Sequence, residues 1–256
     1  MQKLHILNFI LFCLNFKRLS IIIKKIFTKL IFSKDKINKK QLIKTLNKKK
    51  ISISKFMIKE NFSLFEETEI FAKSLKNKSN KKLSKIKHDL GGGGAYNLLY
   101  FLTRLHKPKI ILETGVAAGY SSSAFLEAIN KNKIGKLFSS DFPYFRIPNP
   151  ESFIGILVNE KYKKNWNLFL NGDEINMPKI KKILKNKIDF VHYDSDKSYI
   201  GKKKFFKQIS NYLKKKTIII IDDIQDDNFF LDYVKDNNKL FKIFKFKNKF
   251  LGLVYN

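Results

Sequence analysis

The sequence predicts an α/β protein built on a doubly wound, mostly parallel sheet, and three observations carry that reading. From residue 107 onward, short and wholly apolar runs alternate with helical stretches, the pattern of strands covered on both faces. Glycines and acids gather where those runs stop. The last segment, FKIFKFKNKFLGLVYN, holds two alternating runs joined at Lys247–Lys249, which reads as an antiparallel hairpin at the sheet edge.

Taken in order, the strand candidates are KIILET (109–114), KLFSSD (136–141), NLFLNG (167–172), IDFVHYD (188–194) and TIIIIDD (217–223). Helical stretches are expected at 119–131, 151–164, 176–185 and 199–214, with a last helix near 227–238. Five parallel strands and the terminal hairpin make a seven-stranded sheet.

The N-terminal part reads differently. Residues 4–32 are the most apolar segment, but the first run, Leu4 to Phe16, is shorter than the roughly 20 residues a bilayer requires. Lys17 and Arg18 break it, and Lys24, Lys25 and Lys29 follow among Ile, Phe and Leu. That pattern suits an amphipathic helix lying in an interface or packed on its own domain. Residues 34–60, rich in Lys and Asn, read as polar helix or linker. Ser63-Leu64-Phe65-Glu66 has capping-box spacing and opens a helix that runs to about 76–82. Gly91–Gly94 then form a hinge before the apolar helix AYNLLYFLTRL. The division expected is a basic amphipathic helical extension over 1–60 and a second unit over 61–256.

At 256 residues the chain can bury one good core. Its net charge of +30 invites a polyanionic partner, yet only Arg18, Arg104 and Arg146 among 52 basic residues are arginine. Phosphate and guanine recognition favours the planar guanidinium fork. Lysine here rises together with Asn, Ile and Phe, as in an A/T-rich coding sequence, so a solvated surface explains the charge. Nucleic acid is therefore not the expected partner, and a membrane surface ranks ahead of RNA. The lone Cys13 excludes an intramolecular disulfide and suits a cytoplasmic setting. Peripheral contact with the inner face of a membrane through residues 1–32, and a homodimer, stay open.

In doubly wound sheets, ligands bind beyond the carboxyl ends of the strands. The first strand ends in ETGVAAGYSSS, where Gly115 and Gly119 allow a tight turn before free helix amides. The spacing is G-x-x-x-G with Glu113 just upstream, which would repel a pyrophosphate but welcome a ligand carrying an amino group. Asp141 ends the second strand 22 residues after Gly119, where an acid grips ribose hydroxyls in nucleotide folds. Gly172-Asp173 stands at the third strand end, placed to edge an adenine. The fourth strand ends in Asp194 and the fifth in Asp222-Asp223. Ends of adjacent parallel strands lie about 5 Å apart, so three carboxylates are expected to crowd one rim. A hard divalent cation, Mg²⁺ first, would relieve their repulsion. Read without a ligand, the same acids are solvated strand ends or helix caps, with Asp223 or Asp227 capping the last helix.

On these residues the chain resembles the class I S-adenosylmethionine-dependent methyltransferases, a Rossmann-like family. ETGVAAGYSS is similar to their first motif, Asp141 to their ribose-binding acid and NGD to their adenine-side motif. DSDKSY, with a doubled acid on the next strand, resembles the catechol- and caffeoyl-CoA-type O-methyltransferases, although Asp223 stands where those have Asn. The strand-five Asp-Asp is closer to the bacterial "methyltransferase 24" type. The resemblance implies a methyltransferase domain over 61–256. It implies an S-adenosylmethionine site at Glu113, Gly115, Val116, Gly119, Ser121, Asp141 and Asp173. It also implies a metal held by Asp194, Asp222 and Asp223, and a base, Lys197, its pKa lowered by burial and the cation. The expected reaction is metal-assisted O-methylation of a small-molecule or sugar hydroxyl. His192, on the same face as Asp194, is a candidate supporting residue, and Arg146 a candidate grip on the acceptor. The alternatives weighed are an RNA-binding methyltransferase and a non-catalytic, membrane-associated protein that kept the fold.

Overall fold

The computed structural model describes the backbone of residues 2–32, 38–145, 147–184 and 187–255. Six helices come first: α1 (Gln2–Cys13), α2 (Phe16–Phe32), α3 (Lys39–Lys49), α4 (Ile53–Glu60), α5 (Phe62–Leu83) and α6 (Tyr96–His106), with a short strand β1 (Lys50–Ile51) between α3 and α4. Then β2 (Ile110–Thr114), α7 (Tyr120–Asn132), β3 (Lys136–Ser140), β4 (Trp166–Phe169), α8 (Asp173–Ile183), β5 (Ile188–Tyr193) and α9 (Tyr199–Ile209) alternate. The chain closes with β6 (Leu213–Ile221), α10 (Phe229–Asp236), β7 (Leu240–Phe246) and β8 (Lys249–Tyr255).

The strands form a single sheet in the order β1-β7-β8-β6-β5-β2-β3-β4. The pairs β2–β3, β2–β5, β3–β4 and β5–β6 are parallel, whereas β8 runs antiparallel to both β6 and β7. This is the doubly wound sheet with its terminal hairpin. It carries eight strands rather than seven, because Lys50–Ile51 adds a parallel edge strand on β7. One Lys and one Ile at the end of a Lys/Asn-rich stretch give no strand period to read.

β2 is buried along its whole length, as are β5 except at Asp189 and the second half of β6. One face packs under α4–α7, with Met57, Leu98, Phe125 and Phe190 in that core. The other packs under α3 and α8–α10, with Leu46, Met177, Phe206 and Phe230. Each such large apolar side chain contributes about 1.5–3 kcal/mol by leaving water. Within residues 39–60, β1 pairs with β7 and the buried side chains of α3 and α4 join the two cores.

Two local expectations are corrected. The helix expected at 151–164 is two 3₁₀ turns, Pro150–Phe153 and Glu160–Asn165, flanking Gly155 at φ +68°. That glycine is forced, since a Cβ there would lie 2.2 Å from the Trp166 ring. The cap of α5 is Asn61, whose side chain accepts from the Leu64 amide at 2.9 Å, so Ser63 falls inside the first turn. No helix among the described residues is long and apolar enough to cross a membrane.

Candidate active site

Chain order reverses on either side of β2, so the carboxyl ends of β2, β3 and β5 border the natural crevice. Beyond these ends the ladder continues as a rim: the amides of Gly115, Asp141, Gly172, Asp194 and Asp222 each donate, at 2.9 Å, to the carbonyl of a residue at or beyond a neighbouring strand end. The sites predicted at separate strand ends are therefore brought to one edge.

The β2–α7 turn is a cradle. Gly115 has φ +82°, and a Cβ there would stand 2.1 Å from the Asp194 carbonyl oxygen. Gly119 has φ +96°, and its Cβ would stand 2.8 Å from the Gly155 Cα. Only glycine meets both the left-handed backbone and the close approach. Gly155 and Leu157 brace the turn by donating to the carbonyls of Ala117 and Ala118. Val116 and Ser121 are buried within it.

Asp141 holds this turn from the side. One carboxylate oxygen accepts from the amides of Val116 (2.9 Å) and Ala117 (2.7 Å), the other from that of Phe142 (2.6 Å). Burial pushes its pKa up to about 6 against the pull of those amides. Asp173 accepts from the hydroxyls of Ser140 and Ser195, both at 2.5 Å, tying β3 to the segment after β5. Asn176, which sequence reasoning did not single out, is fully buried and donates to Ser140 and to the Phe169 carbonyl, both at 2.9 Å.

Beneath the cradle lies a buried polar row. Glu113 and His192 are register partners on β2 and β5. One Glu113 oxygen accepts from Ser122 and Ser139 at 2.6 Å, and the other has no hydrogen-bond partner. His192 stands between two acids, with Nδ1 3.8 Å from Glu113 and Nε2 3.8 Å from Asp222. Those gaps are too long for hydrogen bonds but short enough for strong attraction in a dry site. Burial opposes the charged imidazolium, yet the two carboxylates outweigh it and raise the His192 pKa to about 10. Asp194 follows on the rim; burial first, and then the charge of Asp222, push its pKa up to about 7. The tetraglycine roofs this row: a Cβ on Gly94 would lie 2.8 Å from the Asp222 carboxylate, and Tyr144 holds the Leu90 carbonyl at 2.9 Å.

Asp223 does not join this row. It sits at φ +53°, and its carboxylate is held by Lys197 at 2.5 Å, Lys249 at 3.1 Å and Gln225 at 3.1 Å. Among the described residues, no group of three or more His, Cys, Asp or Glu side chains is placed to hold a metal ion. The expected trio of Asp194, Asp222 and Asp223 is thus not assembled, because two ammonium groups already neutralise Asp223. The residues do not fit Mg²⁺. Nor does Lys197 have the lowered pKa expected of a base. Burial works downward, but the bond to Asp223 outweighs it and the net shift is upward. Lys249 was invisible in the sequence, since it reaches Asp223 from β8, 26 residues away. Arg146 lies outside the described residues.

Below the rim, Lys202 and Asp227 form a buried ion pair at 2.9 Å, exposed by 1% and 4%. Asp227 also accepts from the Phe229 amide at the start of α10, although the cap position weighed for it from the sequence is taken by Asn228.

Residues 112–224 match the model of a family described as a methyltransferase domain. Among solved structures, the chain is similar to the O-methyltransferase from Bacillus cereus in complex with S-adenosylhomocysteine. That likeness has a TM-score of 0.56 and 13% identity, covering 72% of this chain and 91% of that one. It is also similar to the O-methyltransferase TomG from Streptomyces achromogenes, involved in tomaymycin synthesis and bound to S-adenosylmethionine, with a TM-score of 0.54, 15% identity and coverage of 71% and 89%. A third likeness is to the S-adenosylhomocysteine-bound methyltransferase of Podospora anserina, with a TM-score of 0.52, 17% identity and coverage of 71% and 87%. At these identities the likeness is one of fold. No curated protein matches the chain.

Proposed function

We propose, from the premise that this chain carries a methyltransferase domain over residues 112–224, that it moves the methyl group of S-adenosylmethionine to a hydroxyl of a small acceptor. The observation that carries this reading is a shortage of positive charge in a very basic protein. Glu113 and Asp222 lie beneath the glycine cradle with Asp194 at its rim, His192 is the cation within 4 Å of Glu113 and Asp222 among the described residues, and one Glu113 oxygen is buried without a hydrogen bond. Such a site suits a ligand bearing an ammonium and a sulfonium. The cradle glycines leave the room that a nucleoside-linked chain needs.

When bound, S-adenosylmethionine supplies an electrophilic methyl on a positively charged sulfur. The protein's part is placement and proton transfer. Gly115, Val116, Gly119 and Ser121 shape the cradle; Asp141 and Asp173 stand on its ribose and adenine sides. Asp194, a rim carboxylate without an ion pair to lysine among the described residues, accepts the proton that the acceptor hydroxyl loses as its oxygen takes the methyl. Its pKa of about 7 suits a group that must gain and return a proton near neutrality. Lys197 and Lys249, tied to Asp223, hold the outer wall of the cleft. Orientation of the two reactants supplies much of the acceleration.

Transfer of a tritiated methyl group from labelled S-adenosylmethionine to a panel of hydroxylated metabolites, with and without EDTA, tests this reading. Labelled ether products formed equally in both conditions are expected. Loss of activity in EDTA, restored by Mg²⁺, would reinstate the metal; no transfer to any hydroxyl would remove the O-methyl reading.

A further inference from the structure

The helix pair α1–α2 is attached by its inner face to the loops that border the candidate cleft. Phe12 packs edge-on against Phe142, the residue after Asp141, at 5.3 Å between ring centres, and Phe9 meets Phe145 at 5.8 Å. Ile21 lies over Gly172, where its Cδ1 would stand 3.2 Å from an added Cβ. Two ion pairs, Arg18 with Glu151 and Lys24 with Glu174, tie the pair down on either side. Its seat is thus the adenine side and the 142–151 loop.

The outer face has no such partner among the described residues. Ile10, Leu11, Leu14, Phe16, Ile23 and Ile26 are all at least half exposed, with Phe16 at 86% and Leu14 at 70%. Scattered apolar side chains on a surface mean little, but six on one helix pair form a patch. Within the segment's own sequence the charge has one sign, although Arg18 and Lys24 are already paired with Glu151 and Glu174. Residues 1–34 contain Lys3, Lys17, Arg18, Lys24, Lys25, Lys29 and Lys34 and no acidic residue. A second copy of this chain would bring the same surplus of positive charge to the contact, which like-charge repulsion disfavours. An anionic bilayer meets both features: its headgroups take the lysines and its interface takes the apolar side chains.

We propose that α1–α2 is an in-plane anchor that docks the protein on an anionic lipid surface. Its inner face stays on the 142–151 loop while its outer face enters the interface. Docking brings the rim of the cleft to the bilayer, where an acceptor carried in or on the membrane is reached without full desorption.

The test is co-sedimentation of the full chain with vesicles of phosphatidylcholine alone and of phosphatidylcholine with about one-third phosphatidylglycerol. Binding to the second kind is expected, weakened at high salt, with little binding to the first. A Leu14→Asp/Phe16→Asp variant is expected to bind the anionic vesicles about tenfold or more weakly, while keeping its affinity for S-adenosylhomocysteine as a measure of an intact fold. Wild-type protein that ignores anionic vesicles at every phosphatidylglycerol fraction overturns the proposal, whatever the variant does. So does a wild-type dimer that the variant converts to monomer in sedimentation velocity without any vesicle binding, since the patch then belongs to a second copy. None of these readouts involves methyl transfer, so failure here is distinct from failure of the catalytic reading.

Discussion

Asp222 and Asp223 are neighbours in the chain and opposites in the fold. Asp222 continues the inward-facing row of Glu113 and His192, shut beneath Gly94, with an imidazole as its nearest cation. Asp223, one residue on and in a left-handed conformation, turns to the lysines of two other elements. The same contrast separates Asp194 from Glu67. Asp194 makes no ion pair among the described residues, and burial, then the charge of Asp222, outweigh the pull of His192 and Lys249 and push its pKa up to about 7. Glu67, on α5, is gripped by Arg104 at 2.8 Å and Lys131 at 3.4 Å, and that pairing pulls its pKa from 4.5 down to about 2. A protein with 52 basic and 22 acidic residues could pair every carboxylate. Among the described residues its inner rim instead keeps His192 as the one cation within 4 Å of Glu113 and Asp222.

The sharpest way to break this comparison is to neutralise one acid on each side of it. Asp194→Asn is expected to lower methyl transfer about 10³-fold, with cofactor affinity nearly unchanged by calorimetry. Asp223→Asn, which removes an already paired charge, should cost far less in rate. Equal losses would mean that the two acids share one role.

A second test asks whether the outer rim is held from below. Lys202 bonds Asp227 and reaches the Asp223 carbonyl at 3.5 Å, so it supports the left-handed turn. Lys202→Met leaves Asp227 buried without its cation and is expected to destabilise the fold by about 3 kcal/mol, read as a lowered Tm. The double variant Lys202→Met/Asp227→Leu should recover much of that loss.

The smallest effect belongs to Glu67, the control with a full complement of cations. Its pKa is lower in the folded than in the unfolded chain, so its contribution is complete above about 4.5 and disappears as pH falls towards 2. For a part-exposed pair that contribution is about 1 kcal/mol after solvent screening. Glu67→Gln is therefore expected to lie below the wild type in urea stability at pH 7 and to converge with it near pH 2.

Some of this was legible in the residues. Apolar runs of five or so alternating with helical stretches place the central strands, since a strand buried on both faces admits little else. The glycines at 115 and 119 mark a turn, because only glycine accepts a positive φ and a backbone contact together. What could not be read was which way each acid faces and what comes to meet it. The doubled acid after β6 looked like a metal clamp, yet one member is claimed by Lys197 and by Lys249 across the sheet. From the sequence His192 reads first as a satisfied core residue and only second as a supporting one; its neighbours on β2 and just after β6 place it between two acids. The strand at Lys50–Ile51 and the 3₁₀ turns after Asn149 follow from pairing with distant segments rather than from local period.

By itself, then, the sequence determined the central sheet, its terminal hairpin and the strand ends on which the cleft is built. These follow from periodicity and from glycine's backbone, which are local properties. Only the tertiary structure decided that Asp223 is paired with two lysines and Asp194 is not, and that α1–α2 sits on Phe142, Phe145 and Gly172 with Leu14 and Phe16 exposed. Charge pairing and burial depend on side chains brought together from far along the chain, and no spacing encodes them.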